Sequence, residues 1–237
     1  MFTRRTDSRA EDRMENSEVA PNIQRRAFLK YVGMGSALIT ATAAISSCKK
    51  DHDTSSSGGV SLGTGDYAVL NYAYALEQLE AAFYTKLVSS FYSGATAGEK
   101  ALLTDIRNHE IAHREFFKAA LGTHAIASLS VDFSSIDFTS RASVLGAAAA
   151  FENLGVSAYN GAGQYIANAD YLLLAGKIVS VEARHAAYIN DLLISNSLAA
   201  SGQIDSNGMD ISQSPAQVFA KAGTYITTKI DLTTLPK

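Results

Sequence analysis

The hydrophobic positions along residues 67–195 recur at intervals of three and four. This spacing places apolar side chains on one face of an α-helix and is typical of helices that pack against a core. We predict four long amphipathic helices from it, at residues 67–88, 97–121, 140–169 and 171–195.

A fifth, shorter helix is predicted after these four, because Ser214 precedes Pro215 as an N-terminal cap precedes a proline at the first helical position. We expect it to end near Thr227. Short segments join the first helix to the second and the third to the fourth, whereas residues 122–139 separate the second from the third. Short links make antiparallel neighbours, and a long link can cross the length of a bundle. The pattern therefore predicts an all-α four-helix bundle with one long crossover.

Each long helix carries a glutamate on its apolar stripe, followed at a fixed distance by a tyrosine or a histidine. The first and third helices contain Glu-x6-Tyr, and the second and fourth contain Glu-x-x-His. The pairs are Glu77 and Tyr84, Glu110 and His113, Glu152 and Tyr159, and Glu182 and His185. The same order of motifs occurs twice, which indicates a duplicated helical hairpin.

Metal binding explains why carboxylates would occur at these positions. A carboxylate in an apolar core is strongly disfavoured unless it is paired or binds a cation, and facing carboxylates repel one another. Residues three apart share a helical face, so each Glu-x-x-His offers one oxygen and one nitrogen to the same site. This mixture suits iron or manganese better than calcium. We predict two divalent metal ions, iron or manganese, held by Glu77, Glu110, His113, Glu152, Glu182 and His185. No catalytic residue is assigned.

The sequence leaves two points open, namely which glutamate of the first helix binds metal and what the two tyrosines do. Glu80 lies one turn from Glu77 and competes with it as the metal ligand. We prefer Glu77 because its spacing to Tyr84 is repeated between Glu152 and Tyr159. The two tyrosines either donate hydrogen bonds to the metal-binding carboxylates or simply fill the core.

Several neighbouring residues fall outside the predicted ligand set. His109 precedes Glu110 but points about 100° away around the helix, so we expect a surface or packing role for it. Gly155, Gly161 and Gly163 in the third helix either allow close approach of another segment or weaken the helix locally.

The N-terminal part differs in charge from the remainder of this chain of 237 residues, which has a formal net charge of −3. Residues 1–50 carry a net charge of +4, and residues 51–237 carry −7. Arg25 and Arg26 precede a short, mildly apolar run that ends near residue 47. A basic segment followed by a short apolar one is typical of an export signal, and the arginine pair resembles a twin-arginine signal. An ordinary Sec signal or an N-terminal membrane anchor is the alternative.

The single cysteine closes this apolar run. Residues 45–48, Ile-Ser-Ser-Cys, resemble a bacterial lipobox, in which Cys48 becomes the lipidated first residue of the mature chain. Such a lipid would attach the protein to a membrane without a spanning helix. We expect a lipid-anchored protein on the periplasmic side of a bacterial cell envelope, with surface exposure left open. The domains are then an export signal at 1–47, a flexible Ser/Gly-rich tether at 48–65 and a folded domain at 66–237.

Composition excludes several other classes. One cysteine excludes a disulfide framework, a CxxC zinc site and a cysteine-ligated iron–sulfur cluster. The near-neutral charge argues against a nucleic-acid partner. The expected partner is a membrane, and assembly into a homo-oligomer is left open.

Residues 76–84 (LEQLEAAFY) and 181–188 (VEARHAAY), with the two Glu-x-x-His motifs, carry a family resemblance. From about residue 66 to residue 227 the chain resembles the ferritin-like superfamily, most closely the bacterial ferritin-like domain group that also contains desiccation-related proteins. The resemblance implies a ferritin-like bundle and oxidoreductase chemistry on iron, dioxygen or peroxide, of the ferroxidase, peroxidase or catalase kind. The alternative is a non-catalytic, metal-stabilised structural or stress- and desiccation-related envelope protein.

Overall fold

The structure is a computed structural model that describes residues 58–235. Its regular elements, in chain order, are β1 (Val60–Ser61), α1 (Asp66–Ser89), α2 (Ala97–Leu121), α3 (Arg141–Ala162), α4 (Ala169–Leu193), α5 (Pro215–Ala222) and β2 (Ile230–Asp231). No helix in this range is long and apolar enough to span a bilayer. The predicted export signal, the lipidation site Cys48 and most of the predicted tether lie outside the described residues.

Side-chain caps fix where several helices begin. At the start of α2, the Thr96 hydroxyl accepts a hydrogen bond from the Glu99 backbone N–H, while the Glu99 carboxylate accepts one from the Thr96 N–H. Ser214 and Gln217 form the same reciprocal box at the start of α5, with Pro215 at the first helical position. Each box satisfies backbone donors that a helix N-terminus leaves free.

The four long helices form two pairs, α1 with α2 and α3 with α4, and α1 also packs against α3. Helix α1 is buried along most of its length, and Phe83, Tyr84 and Leu87 in it are completely buried. The long connection between α2 and α3 contributes Phe133 and Ile136 to the same core. The predicted all-α bundle is confirmed, and the glutamates of the apolar stripes face its interior.

Helix α3 is shorter than predicted. It ends at Ala162 and is followed by one 3₁₀ turn, Gly163–Tyr165, whereas the pattern extended it to residue 169. The Asn168 side chain accepts a hydrogen bond from the Asp170 N–H and thereby caps α4. The apolar spacing continues through this break because Ile166 and Tyr171, on either side of the cap, both pack against the same core. Periodicity alone therefore does not show the cap.

Helix α5 also ends before the predicted Thr227, at Ala222. The residues that follow it turn back toward the long connection, and the backbone N–H of Thr227 donates to the carbonyl of Ser130. Ile226 forms an isolated antiparallel bridge with Val131. This non-local pairing replaces the last predicted helical turns.

The prediction of a flexible tether up to residue 65 was wrong for its last residues. Val60–Ser61 pair in parallel with Ile230–Asp231, and Leu62 is completely buried in the core. The partner strand lies about 170 residues further along the chain, so the local Ser/Gly-rich composition gave no sign of it. The folded part therefore begins before Asp66.

Candidate metal centre

The four glutamates predicted from the sequence meet in the middle of the bundle, one from each long helix. Glu77, Glu110, Glu152 and Glu182 are each at most 1 % exposed. Two largely buried histidines, His113 from α2 and His185 from α4, join them.

These six residues form two overlapping groups of four, each of which could hold a metal ion. In each group one donor atom per residue can be chosen so that all four atoms lie within 4.8 Å of one another. We call them site A, formed by Glu77, Glu110, His113 and Glu182, and site B, formed by Glu110, Glu152, Glu182 and His185. Glu110 and Glu182 belong to both, so the two sites are adjacent and share two carboxylates.

The shared carboxylates present different oxygens to the two histidines. In Glu182, Oε1 lies 2.8 Å from Nδ1 of His113, and Oε2 lies 3.5 Å from Nδ1 of His185. In Glu110, Oε1 lies 2.8 Å from Nδ1 of His185, and Oε2 lies 3.9 Å from Nδ1 of His113. Each shared carboxylate can therefore give one oxygen to each site.

The unshared glutamates complete the sites symmetrically. Glu77 Oε2 lies 3.5 Å from Nδ1 of His113 in site A, and Glu152 Oε2 lies 3.5 Å from Nδ1 of His185 in site B. Within the described residues, eight buried atoms of the two sites lack a well-directed hydrogen bond: both oxygens of Glu110 and of Glu182, Oε2 of Glu77 and of Glu152, and Nδ1 of His113 and of His185. Buried polar atoms normally have a well-directed hydrogen bond, and buried oxygens and nitrogens that converge without one fit a cation.

Two tyrosines hold the remaining oxygens of the unshared glutamates. The Tyr84 hydroxyl on α1 donates a hydrogen bond to Oε1 of Glu152 on α3, and the Tyr159 hydroxyl on α3 donates one to Oε1 of Glu77 on α1. The hydrogen bonds cross between the helices reciprocally. Each leaves Oε2 of its glutamate facing the site.

Burial and mutual repulsion disturb the ionisation of the carboxylates. Burial, with the charge of Glu182, raises the pKa of Glu77 and of Glu110. Burial raises the pKa of Glu152 to about 7. Burial would also raise the pKa of Glu182, but the two histidines beside it lower that pKa to about 2.

The pKa values of the two histidines are raised, whereas burial alone lowers the pKa of an imidazole. Burial would lower the pKa of His113, but Glu182 and Glu77 raise it to about 10. Contacts with Glu110, Glu152 and Glu182 outweigh burial in the same way and raise the pKa of His185 to about 12. Without a metal, protons thus balance part of the negative charge. A divalent cation would have to displace them, because metal binding requires the deprotonated donors.

Glu80, the alternative to Glu77, is buried but belongs to neither site. Its carboxylate lies against Gly155, where an added Cβ would be 3.2 Å from Oε1 of Glu80. Gly155 follows Glu152 by three residues, as Glu80 follows Glu77. The glycine thus leaves room for a carboxylate that only one half of the repeat carries.

Gly161, a second glycine of α3, is also explained by close approach. An added Cβ would lie 1.9 Å from the carbonyl oxygen of Gln213, which is far inside contact distance. The Gln213 N–H donates to the carbonyl of Ser157, so this loop runs directly against the helix.

His109 contacts the site, which the sequence did not indicate. The residue is exposed, but its Nδ1 lies 2.9 Å from Nε2 of His185. The two rings meet edge to edge, with their centroids 5.1 Å apart and their planes within 12° of each other. Partial burial and the charge of His185 lower the pKa of His109. Its place next to Glu110 was visible in the sequence, but its partner on another helix was not.

Comparison with known proteins agrees with this geometry. A family model described as "Ferritin-like domain" matches residues 65–195, which span the four long helices and both sites. No curated protein matches the chain.

Proposed function

The chain belongs to the ferritin-like domain family, and from this membership and its two adjacent donor groups we propose that it binds two divalent metal ions and uses them as an oxidoreductase. The metals are iron or manganese, and the substrate is ferrous iron, dioxygen or peroxide. The observation that carries the proposal is the sharing of Glu110 and Glu182 between sites A and B.

The donor set suits these metals in kind and in charge. Each site offers three carboxylates and one imidazole nitrogen, a combination that favours iron or manganese over calcium. The four glutamates carry four negative charges when ionised, which equals the positive charge of two divalent cations. A buried cluster of this kind becomes electrostatically acceptable once its charges are compensated.

Two redox-active ions held side by side would supply or accept electrons for a peroxide, for dioxygen or for ferrous iron. The protein's own residues hold and shield them. Tyr84 and Tyr159 fix the orientation of Glu152 and Glu77, and the complete burial of Glu110 and Glu182 keeps the shared carboxylates out of bulk water.

A structural role is the second candidate, because the six donors come from all four long helices. A metal bound by donors from separate helices would cross-link them, and binding to the folded state alone raises stability. In this case the protein would be a metal-stabilised, stress- or desiccation-related protein of the cell envelope, and metal would raise its melting temperature without turnover.

One experiment separates these functions. The purified protein is loaded anaerobically with iron or manganese, its metal content is measured, and consumption of dioxygen and of peroxide is followed. We expect two ions per chain and turnover, both lost in the double variant Glu110→Ala/His185→Ala. Glu115→Ala, which removes an exposed carboxylate paired with Arg114, is the matched control and should change neither. Binding without consumption of any oxidant would instead favour the structural role.

We also propose that the protein is exported and anchored by a lipid on Cys48, as its sequence predicts. Labelling of cells with a radioactive fatty acid tests this, since Cys48→Ala should remove the label and release the protein from the membrane fraction. Persistent membrane association of that variant would contradict lipid anchoring.

A further inference from the structure

The remote nitrogens of the two site histidines have different surroundings. Nε2 of His185 lies 2.9 Å from Nδ1 of His109. For Nε2 of His113, no hydrogen-bond partner is found among residues 58–235. The two halves of the repeat therefore differ at the side of the imidazole that faces away from the metal site.

The sequence shows the origin of this difference. His109 immediately precedes Glu110 in the first Glu-x-x-His motif, and Val181 immediately precedes Glu182 in the second. The side chain of a valine has neither a donor nor an acceptor for a hydrogen bond to an imidazole. Only the first motif therefore carries, at this position, a group able to pair with a histidine of the other motif.

The contact fixes the roles of the four ring nitrogens. Nδ1 of His185 faces the carboxylate oxygens of site B, so metal binding there requires this nitrogen to be unprotonated. A neutral imidazole then carries its proton on Nε2. Nδ1 of His109 lies where it can accept a hydrogen bond from this Nε2–H group. His109 is an exposed residue, and its own Nε2–H has no partner among residues 58–235, so it is left to bond with water.

We propose that His109 is a positioning residue for site B: by accepting a hydrogen bond from His185, it holds that imidazole in the tautomer and orientation that present Nδ1 to a metal ion. This inference rests on the proposed metal binding. It makes the sites unequal, because the histidine of site B is held by a hydrogen bond on its remote nitrogen and the histidine of site A has none from residues 58–235. It also places an exposed histidine between solvent and the buried centre.

The test uses Co²⁺ as the probe and three variants. His109→Ala removes the acceptor, and His109→Asn restores an acceptor oxygen near the position of Nδ1. Asn108→Ala is the control, because Asn108 is the exposed neighbour and pairs with Arg107 rather than with the site. Calorimetric titration and the visible spectrum of bound Co²⁺ report the affinity and environment of each ion.

We expect His109→Ala to weaken one of the two Co²⁺ ions by about 10- to 100-fold, the usual effect of removing a partner of a metal-binding histidine. The other ion should keep its affinity, His109→Asn should recover most of the loss, and Asn108→Ala should match the wild type. Equal weakening of both ions, an unchanged titration, or no recovery in His109→Asn would overturn the proposal.

A metal-independent measurement separates this inference from the proposed function. In metal-free protein labelled with ¹⁵N-histidine, a scalar coupling between Nε2 of His185 and Nδ1 of His109 should be present and should vanish in His109→Ala. Absence of the coupling overturns the inference whether or not Co²⁺ binds. If the coupling is present but the wild type binds no Co²⁺, the proposed function fails, and the positioning role fails with it.

Discussion

Replacing Tyr84 by phenylalanine removes one hydroxyl from the centre of the bundle and leaves Oε1 of Glu152 without its donor. Glu152 is completely buried, so water cannot replace the lost hydrogen bond unless the structure opens. A buried polar atom deprived of its partner costs about 1–3 kcal/mol, and more when it is charged. We therefore expect Tyr84→Phe to lower the free energy of unfolding of the metal-free protein by about 1–3 kcal/mol.

The chain offers a matched control on the same helix. Tyr72 is also buried on α1, but its hydroxyl has no hydrogen-bond partner within the described residues. Tyr72→Phe removes the same atom without orphaning another one, so it should be neutral or stabilising. Tyr159→Phe, which deprives Glu77 of its donor, should resemble Tyr84→Phe.

The assay is urea unfolding of chelated protein at two pH values. Burial raises the pKa of Glu152 to about 7, and the Tyr84 hydroxyl opposes this by favouring the ionised form. The cost of Tyr84→Phe should consequently be larger at pH 8, where Glu152 is mostly ionised, than at pH 5. Equal effects of Tyr84→Phe and Tyr72→Phe, or a larger cost at pH 5, would refute this account of the hydroxyl.

Two further predictions concern metal stoichiometry and pH. Glu182→Gln should reduce bound metal from two ions to fewer than one per chain because Glu182 serves both sites, whereas Glu77→Gln should leave one ion. Elemental analysis of the loaded protein checks this. Equal losses of metal in the two variants would contradict the sharing of Glu182. In metal-free protein, Glu152, His113 and His185 have raised pKa values and hold protons more tightly than in the unfolded chain. The free energy of unfolding of the metal-free protein should therefore fall as the pH rises from about 5 to about 9. The gain in melting temperature on adding metal should grow over the same range. A gain that does not change with pH would contradict the displacement of protons by metal.

The meeting of the four helices at a metal centre could be predicted from the sequence, because residues on one face of each helix indicate it. The stripe that contains Glu110 and His113 has a period of 3.6, and a buried carboxylate on such a stripe needs a partner whatever the fold. Repetition of the motif at Glu182 and His185 then indicated that the partners come from a second, similar helix. Local periodicity and the chemistry of burial were sufficient for this part.

Features that depend on a contact between distant segments were not predictable in the same way. The tether prediction missed the pairing of Val60 with Ile230, and the helix prediction ran through the cap formed by Asn168. The sequence predicts only a surface or packing role for His109, because its position on α2 gives its angle around that helix but not the position of His185. In each case the deciding partner lies on another segment, and one-dimensional spacing does not contain its location.

The central claim, that four glutamates and two histidines hold two metal ions, is tested most directly by counting the ions. The purified protein is loaded anaerobically with iron or manganese and freed of excess metal. Its metal content is measured against protein concentration by elemental analysis, and an optical spectrum is recorded. We predict two ions per chain. Fewer than one ion of either metal per chain would contradict the account.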